Sequence, residues 1–170
     1  MLHIYCGNGK GKTTAAVGLT VRAAGSGMKA IFVQFLKNGT SSEISQLRAL
    51  GVTVMASESC TKFTFQMNDA EKGELRAEHD AMTEKCRSML GERVQLLVLD
   101  EFIGAYSKEL LNREKALALI DEAKEKGCEV VITGRDPVPE LEERADYITE
   151  MKAVRHPYDK GVQARKGIEY

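Results

Sequence analysis

The chain has 170 residues, enough for one sizeable core, and its 24 basic against 25 acidic side chains give a net charge of -1. That balance leaves no global basic field to recruit nucleic acid. No stretch approaches the roughly 18 uninterrupted apolar residues of a membrane span, and the N-terminus lacks the basic-then-apolar signature of a secretion signal, so one cytoplasmic domain over residues 1–170 is expected.

Leu2-His3-Ile4-Tyr5-Cys6 reads as a short strand. Gly7-Asn8-Gly9-Lys10-Gly11-Lys12-Thr13-Thr14 follows, leading into an Ala-rich helix to about residue 24 that Gly25 and Gly27 stop. A glycine-rich turn between a strand and a helix start directs backbone N–H groups and the positive end of the helix dipole into one concavity suited to phosphate. In that setting Lys12 supplies a mobile positive charge and the Thr13 hydroxyl a ligand for Mg²⁺. The pattern predicts a nucleoside triphosphate site. It departs from the usual G-x-x-x-x-G-K-[ST] in one respect. Cys6 stands where the first glycine belongs and the glycine comes at Gly7, which predicts a loop of different curvature.

Residues 30–35 form an almost wholly apolar strand, and 42–50 a short helix with Ile44, Leu47 and Leu50 on one face. A third strand, 52–55, follows the break at Gly51. Asn68 or Asp69 caps a long helix to about residue 90, and the stripe of Leu75, His79, Met82, Cys86 and Met89 makes His79 a core-edge side chain rather than a catalytic one. Residues 94–99 are a further buried strand ending in Asp100-Glu101. One or two helices then span 108–126, and 129–133 and 147–151 are the last strands, with a Pro-rich turn and short helix between them. Cys6, Cys60, Cys86 and Cys128 form no C-x-x-C pair and read as small core hydrophobes.

Apolar strands alternating with helices predict an α/β fold, a mostly parallel sheet covered on both faces in three layers. Ligands of such sheets sit at the carboxyl ends of the strands, so the loop, Gln34-Phe35, Asp100-Glu101 and Thr133-Gly134-Arg135 should converge. Asp100 or Glu101 would ligate Mg²⁺ directly or through water. Arg135 would clamp phosphate, or be an exposed turn residue. No short motif marks a water-orienting residue or a general base. On mechanics alone the chain is a Mg²⁺–ATP-dependent enzyme or a nucleotide switch.

The ordered set narrows this. Gly7 to Thr14, Val33-Gln34-Phe35-Leu36-Lys37, Phe63-Thr64-Phe65, Leu99-Asp100-Glu101, Thr133-Gly134-Arg135, Ala145 to Met151, Val154-Arg155-His156-Pro157 and Gly161 to Tyr170 together resemble the corrinoid (cobalamin) adenosyltransferases of the phosphate-loop type. The resemblance implies a RecA-like fold and attack of a Co(I) corrinoid on the 5′ carbon of ATP, expelling triphosphate without a general base. It implies ATP, bound in reversed polarity, on Gly7, Asn8, Gly9, Lys10, Gly11, Lys12, Thr13, Thr14, Arg135 and His156. Mg²⁺ would sit on Thr13, Asp100 and Glu101, with Lys12, Thr13 and Glu101 as the catalytic group. Phe63 and Phe65 match an aromatic pair placed beneath the corrin, where it excludes the lower axial ligand and eases reduction of Co(II); otherwise they are core aromatics of a short strand. Implied partners are ATP, the reduced corrinoid, a flavoprotein reductase and a second copy of the chain, with neither nucleic acid nor membrane. Three departures stand out. Phe65 replaces the usual tryptophan, the chain begins at its first strand without the N-terminal extension of some members, and Asp136-Pro137-Val138-Pro139 replaces a small residue followed by an apolar pair.

Overall fold

Six short segments become the strands of one sheet: β1 (Leu2–Cys6), β2 (Ala30–Gln34), β3 (Thr53–Ala56), β4 (Leu96–Asp100), β5 (Glu129–Thr133) and β6 (Tyr147–Glu150). They belong to a computed structural model that describes residues 1–169; Tyr170, the end of the tail motif, lies outside the described residues. All pairings are parallel, in the order β3-β2-β4-β5-β1-β6. Every residue of β2 and β4 is buried, which is why these segments carry apolar residues without alternation. β6 differs: it is an edge strand with all four residues exposed.

Helices α1 (Lys12–Gly25) and α2 (Glu43–Ala49) cover one face, where Ala16, Ala23, Ile44 and Leu47 join Phe32, Val98 and Val131. The other face carries α3 (Asp69–Met89), α4 (Phe102–Ser107) and α5 (Arg113–Glu125), whose Met82, Cys86, Phe102, Leu119 and Ile120 join Ile31, Val33, Leu97 and Ile132. The short α6 (Pro139–Glu142) precedes β6. The result is the expected three layers. Asn68 and Glu71 form a reciprocal capping box, which sets the start of α3 where the sequence places it. His79 is wholly buried. Its Nδ1–H donates to the Leu110 carbonyl (2.7 Å) while Nε2 accepts from Ser57 Oγ (2.8 Å), and burial pushes its pKa down. All four cysteines are buried.

Two expectations are corrected. The helical region after Glu101 begins at once, with α4, rather than near residue 108. Phe63-Thr64-Phe65 is no strand: Thr64–Gln66 is a single 3-10 turn, and both rings are exposed. α4 lies so close to the end of β5 that a Cβ on Gly134 would stand 2.4 Å from Ile103 Cβ. Gly134→Ala should therefore cost about 1–3 kcal/mol by overpacking, read as a lowered midpoint in thermal unfolding.

Candidate nucleotide site at the carboxyl edge of the sheet

The loop is shaped by the chain that passes it. Cys6 is still strand, and its carbonyl accepts from Met151 N–H (2.8 Å), so the ordinary first-glycine position falls inside β1. The turn starts at Gly7, with φ 99° and its amide on the Arg135 carbonyl (2.8 Å); the Gly9 amide bonds the Met151 carbonyl (2.6 Å). A Cβ at either glycine would lie 2.6 Å from that Met151 oxygen, so residues 7 and 9 must both be glycine. Asn8 Oδ1 accepts from Ala153 N–H (2.9 Å). Gly11, at φ 119°, is the N-cap of α1 and has no side chain to cap it with, which leaves the first amides and dipole of the helix to a ligand. Lys12 Nζ donates to the Gly7 and Gly9 carbonyls (2.8 and 2.7 Å), closing over the loop. Burial lowers its pKa, with Glu101 opposing.

The end of β4 supplies the second half. Asp100 is wholly buried; its Oδ1 accepts from Thr13 Oγ1 (2.8 Å) and Thr133 Oγ1 (2.7 Å), and its Oδ2 from Lys37 Nζ (2.6 Å). Lys37 also reaches Thr13 Oγ1 at 3.3 Å. Its burial alone would depress the ammonium pKa, but the adjacent Asp100 outweighs this and raises it. Glu101 sits at φ 58°, in the left-handed region unusual for a side chain of its size, and its amide donates to Thr133 Oγ1 (2.9 Å). Its carboxyl pKa is raised by burial and by Asp100, against Lys37, Lys12 and Arg135.

A cavity of about 310 Å³ runs along the loop from Asn8 to Thr14 and is walled by Glu101, Arg135, His156 and the tail residues Ile168 and Glu169. The tail is tied there by Glu169, 3.9 Å from Lys10. A second cavity, about 420 Å³, lies beside Thr13 and Thr14 and reaches Lys37 and Ser41 to Glu43. A third, about 520 Å³, is bounded by Leu36, Ile103, Gly104 and Pro137 to Pro139, and it too is walled by Glu101 and Arg135. Arg135 is exposed apart from this double role. His156 Nδ1 accepts from Tyr158 N–H (3.2 Å) and so caps a 3-10 turn at the cavity rim.

The strand ends converge only in part. Gln34 is buried and donates to Glu43 Oε1 (3.2 Å), and Phe35 packs edge-on against His79 and Phe102; neither lines any of these three cavities. Thr133 arrives where the sequence places it, but its bond to Asp100 is not foreseen there, and Lys37 is given no part at all; both contacts join residues distant in sequence. Phe63 and Phe65 are 71% and 80% exposed, with rings stacked at 5.5 Å and 10°. Lys108 Nζ holds their turn by donating to Thr64 Oγ1 (2.9 Å).

The family described as ATP:corrinoid adenosyltransferase BtuR/CobO/CobP matches residues 1–170. The chain belongs to this family. Among its relatives, the corrinoid adenosyltransferase of Pseudomonas aeruginosa is 35% identical over 171 residues, covering 100% of this chain and 83% of that one. The Escherichia coli K12 corrinoid adenosyltransferase is 34% identical over 174 residues (100% and 85%), and the corrinoid adenosyltransferase CobA of Salmonella typhimurium 35% over 175 residues (100% and 85%). Membership of the corrinoid adenosyltransferases makes the chain a transferase. Its fold is also that of the KaiC-like protein PH0186 from Pyrococcus horikoshii, at TM-score 0.55 and 15% identity over 89% of this chain and 71% of that one. Among the described residues of this adenosyltransferase, no helix is long and apolar enough to cross a membrane.

Proposed function

We propose that the chain transfers the 5′-deoxyadenosyl group of ATP to the Co(I) centre of a reduced corrinoid, releasing triphosphate. One observation carries the site reading: Glu101 and Arg135 form a wall common to the loop cavity and the third cavity. A nucleotide with its phosphates on the loop would meet a second substrate where the two cavities adjoin, beside Glu101 and Arg135. The cobalt electron pair forms the Co–C bond as the C5′–O bond breaks, and that bonding pair leaves with the triphosphate. No proton moves at the reacting carbon, so no general base is required.

The residues then have two tasks: holding the reactants in line and stabilising charge on the leaving group. Lys12, Arg135, His156 and the amides from Gly7 to Thr14 would bind the triphosphate, Lys10 contributing at the rim. The donor set also fits Mg²⁺: a hydroxyl and two carboxylates are hard oxygen ligands, and buried Asp100 already holds a cation in Lys37. Thr13, Asp100 and Glu101 would hold the metal, which when bound spreads the charge of the leaving phosphates. Phe63 and Phe65, exposed and stacked, would form the plate beneath the corrin. The same reading includes a flavoprotein reductase as the source of Co(I) and a homodimer, both carried from the resemblance, and the cytoplasmic setting expected from the sequence.

Incubation with ATP, Mg²⁺ and chemically reduced corrinoid tests the reaction, with the product read by absorbance and the released phosphate species identified. Triphosphate is expected; orthophosphate released without any corrinoid would overturn the reading. Glu101→Gln should fold normally, lower turnover by about 10–100-fold and weaken its Mg²⁺ dependence. Because the Glu101 pKa is raised, the parent should lose metal on acidification at a higher pH than an ordinary carboxylate would, and Glu101→Gln should flatten that acid limb. Activity and metal response equal to the parent would make Glu101 structural.

A further inference from the structure

The ammonium of Lys37 stands between two groups read above as metal ligands. Its Nζ is 2.6 Å from Asp100 Oδ2 and 3.3 Å from Thr13 Oγ1. The other Asp100 oxygen is already occupied by the Thr13 and Thr133 hydroxyls at 2.8 and 2.7 Å. Asp100 has no solvent-accessible surface, so its charge needs a cation in contact rather than water. An ammonium and a divalent cation cannot both approach one carboxylate oxygen without strong repulsion at short range and little screening.

The backbone is arranged for this contact. Leu36 adopts φ 55°, which turns the chain as it leaves β2, and the Lys37 carbonyl is pinned by Ser57 N–H (3.0 Å). The anchored backbone carries a flexible four-carbon stem. The side chain is 28% exposed and borders the cavity of about 420 Å³ beside Thr13 and Thr14, so the stem has room to leave Asp100 without unfolding anything.

We infer that Lys37 is the resident counter-cation of the metal site. Its ammonium neutralises Asp100; for Thr13, Asp100 and Glu101 to hold a divalent metal, Lys37 would have to give up that carboxylate and swing into the neighbouring cavity, towards the triphosphate. This rests on the reading of Thr13 and Asp100 as metal ligands. The consequence is ordered loading. Free divalent cation binds poorly because it must evict Lys37 into a cavity where the Glu43 carboxylate stands to receive it, whereas a metal–nucleotide brings the larger negative charge of a triphosphate. Lys37 is thus a positioning residue that couples metal entry to nucleotide entry.

The test is titration of the full chain with Mn²⁺, with free ion counted by electron paramagnetic resonance, in the absence and presence of ATP. Parent, Lys37→Gln and Lys37→Met are compared; the glutamine keeps an amide donor for Asp100, so it should fold even where the methionine variant does not, and a melting curve records both. Without nucleotide, Lys37→Gln should bind Mn²⁺ about tenfold more tightly than the parent. Adding Asp100→Asn to Lys37→Gln should erase that gain, and ATP should shrink it. Mn²⁺ affinity in Lys37→Gln no greater than in the parent would overturn the inference. Asp100→Asn alone separates the two levels. If it abolishes ATP-dependent Mn²⁺ binding while Lys37→Gln shows no gain, the metal reading stands and only the counter-cation role falls. If it leaves that binding unchanged, the metal reading fails and the inference falls with it.

Discussion

Lys12→Ala should lower turnover by about 10²–10³-fold, the usual loss when one preorganised donor to a developing anion is removed. The Lys12 ammonium donates to the Gly7 and Gly9 carbonyls at 2.8 and 2.7 Å, holding the loop closed. These carbonyls belong to a loop that Arg135, Met151 and Ala153 also hold in place, through the Gly7 and Gly9 amides and the Asn8 side chain. Losing the two Lys12 bonds should therefore shift the melting temperature only slightly. The contrast appears with ligand: ATP stabilises the parent by mass action, and that increment should largely vanish in the variant. Binding alone should weaken by about 1.5–3 kcal/mol, the worth of a charge-assisted contact, with the remainder lost in the transition state as charge grows on the triphosphate. Isothermal titration with ATP, melting with and without it, and steady-state turnover separate these contributions. Unchanged turnover with unchanged ATP affinity would remove Lys12 from the site.

The sequence was most legible where local patterning and tertiary role agree. β1 and β5 fall on the expected residues because buried parallel strands are short apolar runs bounded by turn signals, and α3 starts where its capping box requires. The glycine turn between β1 and α1 and the place of Asp100-Glu101 at the end of a buried strand were legible because a left-handed turn demands glycine and a buried parallel strand is a short apolar run. Lys37 was not. Its ion pair with Asp100 spans 63 positions and depends on the register that sets Gln34 beside Asp100, followed by a left-handed turn at Leu36 that a leucine does not advertise. α4 has six residues, too few to show a period, and it was missed. Phe63-Thr64-Phe65 alternates like a half-buried strand, and Tyr147-Ile148 opens the last expected strand, yet all four large side chains are exposed. Strand-like residue types signal a surface that packs against something, and the pattern alone does not say whether that is the protein's own core or another molecule.

Phe63→Ala or Phe65→Ala should cripple turnover when Co(II) is reduced on the enzyme by a biological donor, yet leave much of it when Co(I) is generated beforehand by a strong chemical reductant. In the proposed role the pair displaces the lower axial ligand, so its effect is confined to making Co(II) reducible; the transfer step then depends on the loop, Lys12 and Glu101. The geometry removes the main competing explanation. Rings 71% and 80% exposed on a 3-10 turn have little apolar area to lose, so truncation should change stability by about 0.5 kcal/mol or less, not the ~3–5 kcal/mol of a buried ring. Because the rings stack at 5.5 Å and 10°, removing one leaves the other without its neighbour, and the two single variants should be impaired alike and less than additively when combined. Phe65→Trp should be tolerated or beneficial, since it enlarges the plate. Lys108→Ala, which frees Thr64 and loosens the turn, should produce a weaker form of the same split between the two assays. Equal losses in both assays, whatever the melting curve shows, would refute the axial-ligand role and leave the pair as a surface for some other contact.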